Sequence, residues 1–255
     1  MFKEFFDNKK VAIFDLETII NNNEALYRET FENMLLDLNI DWIYLPDVLK
    51  GGKTIEEVWE EILLDPYIDK KIPLQQLINA TYTKFINVIN NTEDLDTKEG
   101  FWPFTDELKE DFNYKLVLKS ELNETLTNAL IEKLELNDLF DLIIVQKTEK
   151  RKNLYTEILK LLKSYKLTNE ECIAFESHPL ISKDSAKNNI LTIAIKNDDT
   201  LAEDFSYKVS LTQQDFSKFV GNIDKTYREA FLEVHPNIKK HVEKMTPSTD
   251  RIIQP

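Results

Sequence analysis

Glycine is scarce in this chain, with four residues in 255, at positions 51, 52, 100 and 221. That argues against a glycine-rich phosphate cradle, which uses glycine to bring backbone N–H groups close to the ligand. Cysteine is scarcer still. Cys172 stands alone, so no internal disulfide can form, and its place at the head of the apolar segment CIAF points to a buried thiol. Basic residues are in deficit, 32 against 46 acids, for a formal charge of -14. This balance repels phosphate backbones and argues against a nucleic-acid partner. Nothing approaches the length of a membrane span, and the opening MFKEFFDNKK has acids and no long apolar core, unlike a secretory signal. A cytoplasmic protein with no membrane partner is therefore expected.

The 42% hydrophobic content is enough to bury a substantial core. The stretch VAIFDLETIINNN organises the rest. Its apolar run Val11-Ala12-Ile13-Phe14 reads as a buried strand and delivers Asp15 where the run stops. At that place an acid either begins a turn or serves a ligand, because open parallel sheets bind ligands at the carboxyl ends of their strands.

Residues 24–91 then read as helices joined by loops. Leu26, Phe31, Met34, Leu35 and Leu38 recur at helical spacing behind Asn22 or Asn23 as N-cap. Thr54 and Glu57 form a capping-box pattern ahead of IEEVWEEILL, and Leu74, Leu77, Ile78, Tyr82, Phe85 and Ile89 mark a third helix. From residue 101 the rhythm changes to strands separated by single helices. Strands are expected at 114–118, 142–145, 172–175, 191–195 and 205–211, with helices at 105–112, 123–136, 154–165, 182–188 and 213–220. Such alternation implies parallel pairing through right-handed crossovers, hence an α/β, doubly wound Rossmann-like sheet with an all-helical insertion. The expected division is a core of 1–22 and 93–221, a helical cap of 23–92, and an extension of 222–255 that contains Pro236, Pro247 and Pro255.

Three strand ends offer polar groups: Asp15 with Glu17, Lys119 with Ser120, and Glu176 with Ser177. A basic cluster, Lys147, Lys150, Arg151 and Lys152, lies between the last two. Carboxylates, a hydroxyl and a lysine on one sheet edge suit phosphoryl transfer through a magnesium ion. Ser120 has a second reading as a cap for the next helix, and the lysine run has one as a solvated turn. Trp42, Trp59 and Trp102 read as packing anchors, and His178 as incidental.

FDLETIINNNEALY resembles the first motif of the haloacid dehalogenase-like (HAD) superfamily, in which Asp-x-Asp follows a buried strand. GGKTIEEVWEEIL is similar to the cap segment of its β-phosphoglucomutase-like branch. WPFTDELKEDFNYKLVLKSE, LYTEILKLL and CIAFESHPLISKDSAK resemble the second, third and fourth motif regions, in that order. The resemblance implies a Mg2+-dependent phosphohydrolase acting on a small phosphorylated metabolite through an aspartyl-phosphate on Asp15. By the same resemblance Glu17 is the general acid/base, with its carbonyl on the metal, and Ser120 binds the phosphoryl group. Lys150 or Lys152 supplies charge stabilisation, Asp15 and Glu176 hold the metal, and Lys53 in the cap loop is a substrate contact.

The chain departs from the motif at Glu17, where aspartate is expected, at Thr18 and Ile181, which replace glycines, at Ile19, which replaces threonine, at Glu121, which replaces asparagine, and at Ser177, which replaces the second acid of the fourth motif. These departures motivate a second reading, a catalytically degenerate relative kept as a binding or scaffold protein.

Overall fold

A computed structural model of the chain describes residues 2–40, 45–49, 53–66, 68, 72–145, 154–197, 205 and 209–224. A short helix α1 (Phe2–Phe6) leads into β1 (Val11–Asp15), and a single helical turn α2 (Leu16–Ile19) follows directly. The inserted helices are α3 (Asn23–Asp37), α4 (Leu45–Val48), α5 (Ile55–Ile62) and α6 (Leu74–Asn91). The α/β part then runs α7 (Phe101–Asp106), β2 (Lys115–Ser120), α8 (Glu124–Lys133), β3 (Leu142–Val145), α9 (Leu154–Ser164), β4 (Cys172–Glu176), α10 (Pro179–Lys187), β5 (Leu191–Ile195) and β6 (Leu211–Gln213). All pairings in the sheet are parallel, in the order β3-β2-β1-β4-β5-β6. This is the doubly wound core with its helical cap between β1 and β2.

Period-two alternation divides the core into two layers. Ala12, Phe14, Leu116, Leu118, Ile173 and Phe175 face α7, α8 and the cap, in a cluster that includes Phe101, Phe104 and Trp59. Val11, Ile13, Val117, Cys172 and Ala174 face the opposite way, against Tyr155, Ile158 and Leu162 of α9 and Ile181 of α10. Every residue of β1 and β4 is buried, because both strands lie mid-sheet with helices on either face.

Several local expectations change. Asn22 is the N-cap of α3, but it adopts a left-handed conformation (φ 56°) and its side chain makes no capping bond. The Thr54–Glu57 capping box forms: Oγ1 of Thr54 accepts from the Glu57 N–H at 3.2 Å, and Oε2 of Glu57 accepts from the Thr54 N–H at 2.8 Å. The helix expected at 105–112 begins earlier, as α7, and continues as a π-helical turn over Glu107–Asp111. Residues 213–220 form the end of β6 and turns rather than a helix, and the last strand is Leu211–Gln213. The extension beyond residue 224 lies outside the described residues, as do Trp42, Gly51 and Gly52.

The two crossings between core and cap are laced together. Ile20 and Thr97 form an antiparallel bridge, the Asn21 N–H donates to the Asp96 carbonyl at 2.9 Å, and the Lys98 N–H to the Ile19 carbonyl at 2.7 Å. Within the cap, the Trp59 indole donates to Oγ1 of Thr81 at 2.7 Å, which satisfies its polar edge in a fully buried position.

Candidate active site

The site follows from strand register. Asp15 of β1 pairs with Lys119 of β2, and the Phe14–Phe175 pairing brings Glu176 of β4 to the other flank of Asp15. Lys119 is two residues beyond Val117, and Glu176 two beyond Ala174, so both side chains share the face of α9 and α10. Asp15, two beyond Ile13, joins them. All three are buried, at 1%, 0% and 0% exposure respectively.

The ammonium of Lys119 is the centre of the set. Its Nζ lies 2.8 Å from Oε2 of Glu176, 3.5 Å from Oδ2 of Asp15 and 3.7 Å from Oε1 of Glu121. The Glu176 contact is a buried ion pair. Tyr155 of α9 donates its hydroxyl to Oε1 of Glu176, so both oxygens of that acid are engaged. Ser177 Oγ donates to Oδ2 of Asp15 at 3.4 Å. Among the described residues Oδ1 of Asp15 has no hydrogen-bond partner, and Asp15, although it is the N-cap of α2, makes no side-chain cap.

Three carboxyl groups around one ammonium in a dry site compete for charge. Burial raises the Asp15 carboxyl above its ordinary value; Lys119 opposes this and Glu121 adds to it. Burial likewise pushes Glu176 up to about 8, against the pull of Lys119. For Lys119, burial works downward, but Asp15, Glu176 and Glu121 together outweigh it and hold the ammonium above its usual range. Burial and then the Glu176 charge raise the Tyr155 phenol.

The residues named from sequence divide. Asp15 and Glu176 come together. Glu17 turns toward the cap, where its Oε1 accepts from the Tyr27 hydroxyl of α3 at 2.7 Å. Ser120 faces the other layer: its hydroxyl pairs with Oγ1 of Thr127 at 2.8 Å and accepts from the Leu122 N–H at 3.2 Å, fastening the start of α8. Lys53 pairs with Glu61 on the cap. Lys150 and Lys152 lie outside the described residues. His178 is buried at 5% exposure beside the site, where an imidazolium would favour the ionised form of Asp15. Cys172 is free and buried, and burial pushes its thiol up to about 12.

The sequence pattern assigns no role to Lys119, Tyr155 or Tyr27. The alternation Lys115, Val117, Lys119 within a buried run is the signal that would have identified the first, since it turns Lys119 onto the Ile13 face.

The donor set does not fit the magnesium ion that the resemblance implies. Magnesium asks for near-octahedral oxygens at about 2.0–2.1 Å. Here Glu176 is turned to Lys119 and Tyr155, the Glu17 side chain to Tyr27, and Ser177 contributes a neutral hydroxyl, so that of the side-chain oxygens named for the metal only Oδ1 of Asp15 is unengaged among the described residues. Among the described residues no group of three or more His, Cys, Asp or Glu side chains is arranged to hold a metal.

No protein-family model and no curated protein matches the sequence. Solved structures do match in fold. CbbY from Rhodobacter sphaeroides, solved with phosphate, has a TM-score of 0.68 at 18% identity over 82% of this chain and 95% of its own. A haloacid dehalogenase-like hydrolase from Streptococcus pneumoniae has 0.68 at 14% identity over 84% and 98%. β-Phosphoglucomutase from Clostridium difficile has 0.62 at 14% identity over 92% and 99%. Among the described residues no helix is long and apolar enough to cross a membrane. The chain shares the fold of these HAD-like structures, with the helical cap inserted between β1 and β2.

Proposed function

We propose that the protein is a HAD-like phosphohydrolase acting on a small phosphorylated metabolite, with Asp15 as the nucleophile and the 23–92 insertion as the cap over it. The observation that carries this reading is Oδ1 of Asp15, a buried carboxyl oxygen with no hydrogen-bond partner among the described residues, set beside an ammonium at the carboxyl edge of a parallel sheet. An unsatisfied buried oxygen is costly, and native structures keep such groups where they have work to do. Among proteins of this fold, CbbY has been solved with phosphate and, as a variant, with xylulose-1,5-bisphosphate.

In this reading Oδ1 attacks phosphorus, the ester P–O bond breaks, and the leaving alkoxide takes a proton from Glu17. Water then attacks the aspartyl-phosphate, with Glu17 accepting its proton, and inorganic phosphate leaves as Asp15 is regenerated. Lys119 neutralises charge carried by Asp15 throughout. With Asp15 1% exposed, substrate entry requires the cap to move about its two laced crossings.

Phosphate release from a panel of sugar and other phosphomonoesters tests the reading, with Asp15→Asn lowering kcat/KM at least about 100-fold. Absence of release across the panel, or an unchanged Asp15→Asn variant, overturns it. The second reading, a binding protein without turnover, is favoured by the Glu17–Tyr27 bond, which engages the acid/base with the cap. Saturable phosphoester binding with no release identifies that case.

A further inference from the structure

We infer that the Lys119 ammonium is the resident cation of this site, standing in for a divalent metal, so that the protein engages a phosphoryl group without one. The inference adopts the phosphoryl-binding part of the proposed function but does not require turnover. Lys119 is fully buried, its position is set by register with Asp15, and its Nζ lies near carboxylates from the end of the neighbouring strand β1, from the end of β4 one strand further on, and from Glu121. A lysine is seldom buried this completely unless its charge is matched. Here it is matched by the acids that would otherwise need a metal.

The surroundings agree. Where the motif resembled carries a second acid, Ser177 brings a hydroxyl to Asp15, which lowers the negative charge to be balanced. Tyr155 holds the remaining oxygen of Glu176 and fixes that carboxyl toward the ammonium. An ion bridging Asp15 and Glu176 would have to displace Nζ from these contacts or repel it across a dry site. A single ammonium also differs in kind from magnesium: it donates up to three hydrogen bonds and cannot exchange with solvent ions. Binding at the site is therefore indifferent to chelators.

Metal titration of the full chain is the test. For the wild-type protein, calorimetry with Mg2+ and spin-resonance titration with Mn2+ are expected to show no stoichiometric site, and the thermal midpoint is expected to be the same in EDTA as in magnesium. Inorganic phosphate should raise that midpoint equally in both buffers. Lys119→Met, which keeps length and removes charge, should acquire a divalent-ion site, with a midpoint gain of roughly 5–10 °C at about 100 times the ion's dissociation constant.

Stoichiometric Mg2+ or Mn2+ binding by the wild type overturns the inference, and so does phosphate binding that requires the metal. A Lys119→Met protein as stable as wild type in EDTA and still without a metal site also overturns it. If that variant does not fold, the wild-type titrations decide. Turnover only in the presence of magnesium sinks this inference alone, whereas chelator-proof phosphate binding with no turnover sinks the hydrolase reading alone.

Discussion

At the carboxyl edge of the sheet, one residue separates two different solutions to burial. Phe14 and Phe175 stack at 4.7 Å and 12° on the α7 and cap face, where Phe101, Phe104 and Phe216 surround them. Asp15 and Glu176, the next residues along the same strands, meet Lys119 on the α9 face. The aromatic face is held by area and shape, which any well-packed apolar set can supply. The charged face is held by matching, so that losing one member leaves the others exposed to the cost of a dry, uncompensated charge. The difference shows why the first face reads as scaffold and the second as a site.

The largest effect should come from breaking each face singly. Phe14→Ala is expected to cost about 3–5 kcal/mol through the cavity it leaves. Lys119→Met in metal-free buffer should cost a similar amount, about 3–5 kcal/mol, for a different reason. Denaturant titration separates the two, because adding Glu176→Gln to Lys119→Met should recover part of the loss, whereas no second substitution on the charged face should help Phe14→Ala. Equal behaviour would erase the distinction drawn between the faces.

A smaller loss is expected from Gly100→Ala, on the aromatic side. Gly100 has φ +77°, and a Cβ there would lie 2.5 Å from the Ser217 backbone nitrogen, next to the turn that seats Phe216. A cost of about 2 kcal/mol or more in thermal unfolding is expected, above the usual penalty for glycine replacement at positive φ.

The charged face should also impart a pH dependence. Glu176 titrates near 8 in the fold against an ordinary 4.5, and Asp15 shifts in the same direction. Between those values the folded chain keeps a proton that the unfolded chain has released, so stability falls as pH rises through about 8 and levels off below 4.5. Thermal midpoints measured from pH 5 to 9 should show that decline, and Glu176→Gln should flatten it. A midpoint that rises over this range would contradict the assignment.

Smallest of all is Tyr27→Phe, which removes the 2.7 Å bond to Glu17 and should cost about 1 kcal/mol. Its sharper reading lies in the pH profile of any turnover: losing a donor to the carboxylate should move the Glu17 limb upward, as expected of an acid/base that the cap positions.

Much of the fold was legible. The runs VAIF and CIAF, the helical spacing of Leu77, Phe85 and Ile89, and the Thr54–Glu57 box are local patterns, and they survive folding because short-range geometry enforces them. Asp15 and Glu176 were legible as strand-end acids for the same reason. The role of the lysine was not. The motif resemblance directed attention to Lys150 and Lys152, while Lys119 was visible only as a polar strand end.

The chain by itself determined where strands stop and which residue types stand at their ends, since those depend on neighbours a few residues away. Tertiary structure decided which of them meet. Whether Lys119 or Ser120 faces Asp15 turns on a one-residue choice of register between strands far apart in sequence, and a slip of one would exchange the two faces. That register is set by burying Phe14 and Leu118 together on the aromatic side. The packing of the scaffold thus turns the ammonium toward the acids.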